Sequence, residues 1–177
     1  MKNTSIVLLA VTLLLTSCSS LGDKKFTVNG KVTGMSPSMV YLEEVPMATM
    51  QRVAVDSVRP NKDGSFELQT KVTEETVFNV RIDQQNYPAA SLVNDVKKVD
   101  LKLFFDSANT QMADRYEVKG SAASTALQSY MLAFNNQLLK GSVDSLRVIT
   151  DQALGSSKSP ALSMMIIGYY QSMAGNP

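Results

Sequence analysis

Hydrophobic and polar residues alternate along much of residues 26–119, which is the spacing of strands that bury one face. The cleanest example places Val99, Leu101, Leu103 and Phe105 on one side. Comparable short runs lie at 26–32, 39–42, 52–58, 65–68, 78–82 and 116–118. Because no helical segment separates these runs, the pattern predicts a mainly β protein with an antiparallel β-sandwich over residues 26–120.

From Ser121 onward the apolar spacing becomes that of amphipathic helices. The first stripe consists of Leu127, Tyr130, Met131, Phe134 and Leu138. A weaker stripe follows, and Pro160 suits the first position of a last helix. Residues 121–177 are therefore predicted to form a C-terminal helical segment or connector. The last stripe is wider than one neighbour requires, so we expect Ile166 and Tyr169 to face a partner. If their change to Asp instead unfolds the whole protein, the helix belongs to the core.

The N-terminus carries one positive charge, Lys2, followed by an apolar run over residues 6–15. Ten helical residues reach about 15 Å, which is half of the hydrocarbon thickness that about 20 residues span. Residues 1–17 are accordingly predicted to be a secretory signal peptide and not a membrane helix.

The sequence Leu15-Thr16-Ser17-Cys18 resembles the lipobox of bacterial lipoproteins, whose Cys becomes the lipidated N-terminus. The alternative is an ordinary signal peptide whose Cys happens to lie near the cleavage site. Lipidation of Cys18 would leave a mature chain of 160 residues without a thiol, since 17 of the 177 residues are removed. Residues 18–25 are then a short lipidated tether to the membrane.

Composition excludes several kinds of chemistry. The chain has no His and one Cys, so imidazole catalysis, an internal disulfide, a C-x-x-C pair and a thiolate zinc cluster are all excluded. Its 17 basic and 16 acidic residues are interspersed along the sequence, which provides no local basic run for nucleic acid. We therefore predict no catalytic, cofactor-binding or metal-binding residue, and no enzyme activity for this chain by itself.

Carboxylates are the remaining catalytic candidates, and the pairs Glu43-Glu44 and Glu74-Glu75 invite that interpretation. Adjacent strand residues point to opposite faces, so neither pair forms an acid/base site, and solvated face positions or strand ends are expected. Asp56-Ser57 is expected to form hydrogen bonds at a strand edge, since no His base is available. Residues 61–64 are expected to form a hairpin turn and not a calcium loop. Gly30 lies in phase within a strand and predicts a bulge or a close backbone approach.

The order of several short motifs after the lipobox resembles a known family. The segments are Phe26-Thr27-Val28-Asn29-Gly30-Lys31-Val32, Val40-Tyr41-Leu42, Val55-Asp56-Ser57-Val58, Asp63-Gly64-Ser65-Phe66 and Tyr116-Glu117-Val118-Lys119-Gly120-Ser121. They are similar to the N-terminal β-sandwich domain of unknown function that precedes the thioredoxin-like domain in Gram-negative thiol-disulfide oxidoreductase lipoproteins of the TlpA/ResA and AhpC/TSA type. The resemblance covers about residues 18–140. It implies a redox Cys pair in the downstream domain, and thus no catalytic residue here.

Two functions follow as expectations. In the first, the chain is a membrane-anchored envelope lipoprotein whose sandwich is a non-catalytic accessory or interaction module. In the second, it is the N-terminal part of a thioredoxin-like oxidoreductase whose C-x-x-C domain lies elsewhere. A carboxylate-dependent envelope hydrolase or sugar binder is a third class without positive support. The expected contacts are the membrane through the lipid on Cys18, and a protein partner or thioredoxin-like domain through the C-terminal helices. The expected location is the periplasm-facing side of the bacterial envelope, with the outer membrane favoured over the inner.

Overall fold

The computed structural model describes residues 24–46, 51–106, 112–140 and 143–174, and these contain eight strands and three helices. The strands are β1 (Lys24–Thr33), β2 (Val40–Glu44), β3 (Val53–Val58), β4 (Ser65–Val72), β5 (Val77–Ile82), β6 (Ala90–Val93), β7 (Lys98–Phe104) and β8 (Arg115–Lys119). The helices are α1 (Ala122–Leu138), α2 (Val143–Ser156) and α3 (Pro160–Ala174). The predicted signal peptide and Cys18 lie outside the described residues. Two residues of the predicted tether, Lys24 and Lys25, belong to β1.

The strands form two four-stranded sheets. Sheet I has the order β4-β1-β7-β8, and sheet II has the order β3-β2-β5-β6. Every pair is antiparallel except β1 and β7, which run parallel with Val28 opposite Val99. The prediction of a purely antiparallel arrangement is therefore wrong for this pair. The period of two indicates which side chains are buried but not the direction of the neighbouring strand. The chain from β2 to β6, which runs through sheet II and β4, supplies the long connection that a parallel pair requires.

The turn at residues 61–64 is confirmed, but the predicted hairpin is wrong. The Gly64 N–H donates to the Asn61 carbonyl at 2.9 Å, and Gly64 adopts φ +80°, which glycine tolerates best. The turn joins β3 to β4, which are edge strands of different sheets. Asp56 on β3 bridges these edges by accepting from the Gln69 N–H at 2.7 Å, so its predicted strand-edge role is confirmed.

Both sheets contribute side chains to one hydrophobic core. The Phe26 ring on β1 stacks on the Phe78 ring of β5, with centroids 5.4 Å apart. A Cβ atom at Gly30 would lie 1.9 Å from the Cζ of Phe66, so glycine is needed here because a side-chain ring, and not the predicted backbone, approaches closely. Burial also raises the pKa of Tyr116, on β8, to about 12.

The helices build a second core that joins the edge of sheet II. Val93 of β6 packs in it with residues of all three helices. Ser124 of α1 is fully buried and accepts from the Val93 N–H at 2.9 Å. α1 therefore covers β6, which is the edge strand of sheet II. No helix of the described residues is long and apolar enough to cross a membrane.

The expectation that Ile166 and Tyr169 face a partner is corrected by their positions. Ile166 is only 1% exposed in the helical core. Tyr169 is half-buried, and its hydroxyl donates to the Asn135 side chain at 2.7 Å. The wide stripe arises because α3 packs against both other helices, while its exposed apolar positions lie at Met164 and Ile167.

Candidate functional site

The three helices line a groove of about 600 Å³. Its walls are largely apolar and include Ala126, Tyr130, Ile149 and Leu162. Two carboxylates from loops of the β-rich part, Glu75 and Asp95, also line it.

Asp95 holds the N-terminus of α1. One carboxylate oxygen accepts from the Ser121 hydroxyl at 2.5 Å, and the other accepts from the Ala123 N–H at 3.1 Å. Ser121 is the N-cap and accepts from the Ser124 N–H at 2.8 Å. Together they satisfy N–H groups that a helix start leaves without intrahelical partners, and the negative charge favours the positive end of the helix dipole.

Glu75 holds the N-terminus of α3 in the same way. Its Oε1 accepts from the Ser159 hydroxyl and from the Ala161 N–H at 3.3 Å. The Ser159 hydroxyl oxygen in turn accepts from the Leu162 N–H at 3.0 Å. The Glu74-Glu75 pair, expected at solvated face positions or strand ends, follows the end of β4. Glu74 is exposed, whereas Glu75 is held by a contact with a residue 84 positions away.

A polar contact ties the helices together beside the groove. The Tyr130 hydroxyl lies 3.2 Å from the Thr150 Oγ1, which donates to the Leu146 carbonyl at 2.7 Å. Burial raises the pKa of Tyr130, and its hydrogen bond with Thr150 offsets part of that rise. Tyr130 is consequently a neutral phenol at pH 7 and cannot serve there as a phenolate base.

Sheet II carries a buried ion pair that the sequence analysis missed. Glu43 Oε1 lies 2.6 Å from Arg81 Nη2 and 2.7 Å from Nε, and the side chains are only 4% and 16% exposed. The Arg81 guanidinium also lies over the Tyr41 ring, 4.7 Å from its centroid, and the hydrogen bond with Glu43 raises the pKa of Arg81. The strand-end position expected for Glu43-Glu44 is confirmed, since β2 ends at Glu44. The expected solvation is wrong for Glu43, because it pairs with Arg81, two residues beyond its register partner on β5.

The outer face of α3 is exposed and uncharged. Met164 and Ile167 are 56% and 43% exposed, and Met173 is exposed as well. The helix contains no charged residue. A Cβ atom at Gly168 would meet nothing within 4 Å, so the helix backbone is accessible at this point.

These features differ in how far sequence could reveal them. Ser121 precedes the apolar stripe of α1 and is a recognisable cap signal. Asp95 gives no local signal for a contact 26 residues away. Cys18, the predicted lipidation site, lies outside the described residues. The described residues contain no group of three or more His, Cys, Asp or Glu placed to hold a metal ion.

Comparison with known proteins provides one match. A family model described as a domain of unknown function (DUF4369) matches residues 26–127, which is more than half of the chain. The matched range runs from the third residue of β1 through β8 to the first part of α1. No curated protein and no solved structure matches the chain.

Proposed function

Since the chain belongs to the DUF4369 family of domains of unknown function, we propose that it is a non-catalytic interaction module of a lipid-anchored protein in a bacterial cell envelope. In this proposal the two sheets form a β-sandwich that serves as a rigid support. The helices carry the surface that meets a partner.

The observation that carries the interaction role is the exposed, uncharged face of α3 on a helix fixed at its start. Glu75 and Ser159 hold the first turn of α3 against the β-rich part. Ile166 secures the opposite side of the helix in the helical core. A face made of Met164, Ile167 and Gly168 is thereby presented in a defined position, which reduces the conformational entropy lost on binding.

The partner in this proposal is a thioredoxin-like domain, on the same polypeptide or on another chain. Support comes from the order of motifs that resembles the N-terminal domain of thiol-disulfide oxidoreductase lipoproteins. The second candidate function, the N-terminal part of such an oxidoreductase, rests on the same resemblance. An open reading frame beyond codon 177 that reaches a C-x-x-C would favour it, and a stop codon would favour the separate module. In either case the chain by itself should not reduce insulin.

The anchor in this proposal is Cys18, supported by the lipobox and the preceding apolar run. We expect mass spectrometry of the mature N-terminal peptide to find an acylated Cys18, and a thiol-reactive probe to find no free sulfhydryl. Cys18→Ser should abolish the mature, membrane-bound form of the protein. The reason is that several acyl chains hold this form in the membrane, at about 0.8 kcal/mol per buried methylene. Ser19→Ala is the neighbouring control and should stay acylated. An unmodified Cys18 at or after the mature N-terminus would refute the anchor.

The partner surface is tested by introducing charge on the outer face of α3. Met164→Asp with Ile167→Asp should weaken binding to a purified envelope thioredoxin-like domain by more than about tenfold, measured by calorimetry, because a carboxylate would be desolvated at the contact. Val148→Asp changes an exposed apolar residue of α2 and is the matched control. Equal losses in both variants, or no binding by the unmodified protein, would refute this surface.

A further inference from the structure

The register of sheet I gathers lysines from three strands at one end of the sheet. Lys25 lies directly opposite Lys71, and Lys98 lies beside Thr27, whose N–H donates to the Lys97 carbonyl at 2.9 Å. We call this group the lysine edge. It consists of Lys24, Lys25, Lys71, Lys97 and Lys98, all of which are exposed.

The lysine edge is an arrangement that folding alone does not favour. Lys25 and Lys71 face each other on neighbouring antiparallel strands, and like charges in that position destabilise a sheet. The loops that meet at this end carry the acids Glu74, Glu75 and Asp95. Five lysines against these three acids leave positive charge in excess at this end, and two of the acids point to helix N-termini at the groove.

The outward face of sheet I as a whole is basic. Its outward positions hold seven basic and three acidic side chains, a surplus of four, whereas the entire chain has a surplus of one. The rest of the protein is therefore net acidic. The basic residues are Lys25, Lys31, Lys71, Lys98, Lys102, Arg115 and Lys119, and the acidic ones are Glu67, Asp100 and Glu117.

The position of this edge in the chain indicates what it faces. β1 begins at Lys24, six residues after Cys18, and six residues span at most about 20 Å. A lipid on Cys18 would thus hold the lysine edge close to the bilayer surface. We infer that the lysine edge docks on the anionic phosphate headgroups of the membrane that holds the anchor, an inference that rests on the proposed lipidation. Each lysine near such a surface strengthens binding about fivefold.

Vesicle flotation tests this docking without the lipid. The chain from residue 19 to 177 keeps every residue that the structure describes, and it should bind vesicles that contain phosphatidylglycerol but not vesicles of phosphatidylcholine alone. Added salt should weaken the binding. The triple variant Lys25→Glu, Lys71→Glu, Lys98→Glu should lose at least about 100-fold in partition. Circular dichroism verifies that the variant is folded.

The matched control reverses three lysines away from the lysine edge, which are Lys31 and Lys102 at the opposite end of sheet I and Lys62 in the turn that precedes β4. Lys31→Glu, Lys62→Glu and Lys102→Glu change the net charge equally, and this variant should lose less than about tenfold. Three results would each overturn the inference. They are equal losses in both variants, no binding of the unmodified fragment to anionic vesicles, and tighter binding to duplex DNA than to vesicles. The fragment of residues 19–177 lacks Cys18, so failure of docking is distinguishable from failure of lipidation. Mass spectrometry of the N-terminal peptide tests lipidation separately.

Discussion

Replacing Glu43 by Ala should lower the free energy of unfolding by about 3 kcal/mol, because the Arg81 guanidinium would be left in a largely buried position without its carboxylate. The loss corresponds to a fall of roughly 10 °C in Tm for a protein of this size. Urea denaturation followed by circular dichroism measures it. Glu43→Gln keeps the shape and a hydrogen-bond acceptor but removes the charge. Its free energy of unfolding should therefore lie between those of the unmodified protein and of Glu43→Ala.

The exposed pair Arg115–Glu117 is the matched control. Its atoms lie 2.5 Å apart, as close as those of the buried pair, but the side chains are 54% and 45% exposed. Glu117→Ala should therefore cost less than about 1 kcal/mol. The double variant Glu43→Ala, Arg81→Ala should be less damaging than the sum of its parts if the unpaired charge dominates the loss. Equal costs for Glu43→Ala and Glu117→Ala would contradict the burial of the Glu43–Arg81 pair.

Replacing Ile166 by Asp should destabilise the protein by at least about 4 kcal/mol, because it places a carboxylate in the helical core. The far-ultraviolet dichroism of the helices should be lost at a lower urea concentration. Ile166→Val, which removes one methylene, should cost only about 1 kcal/mol.

Ile167 is the neighbouring control on the other side of α3. It is 43% exposed, so Ile167→Asp should change the free energy of unfolding by no more than about 0.5 kcal/mol. This contrast separates the two roles of the helix, since Ile166 belongs to the core and Ile167 to the proposed partner surface. A loss at Ile167 as large as that at Ile166 would show that both sides of α3 are required for folding.

The strands found from sequence are those with one buried and one solvated face. Val99, Leu101 and Leu103 alternate with charged residues, and β7 is formed there. All four residues of β6 are buried, because α1 covers its edge, so Ala90–Val93 has no alternation to detect. The helix boundaries are close to prediction at Ser121 and Pro160, where cap chemistry is local. α2 continues through Gly155 to Ser156, although glycine is typical of the position just after a helix.

The candidate sites were less accessible to sequence reasoning. Cys18 was identified because a lipobox is contiguous, and its lipidation remains a prediction. The contact between Glu75 and Ser159 gives no local signal, because the two residues are 84 positions apart. The pairing of Glu43 with Arg81 gives none either, since Arg81 lies 38 residues away on another strand.

The sequence by itself determined the mainly β character, the helical C-terminal part and the identity of most core side chains, because period and cap residues act within a few positions of the chain. Only the tertiary structure decided which of these elements are neighbours. Strand register placed Lys25 opposite Lys71, set β1 parallel to β7 and brought Glu43 to Arg81. Local spacing encodes whether a side chain is buried, whereas the choice of neighbour depends on the packing of the whole chain into two cores.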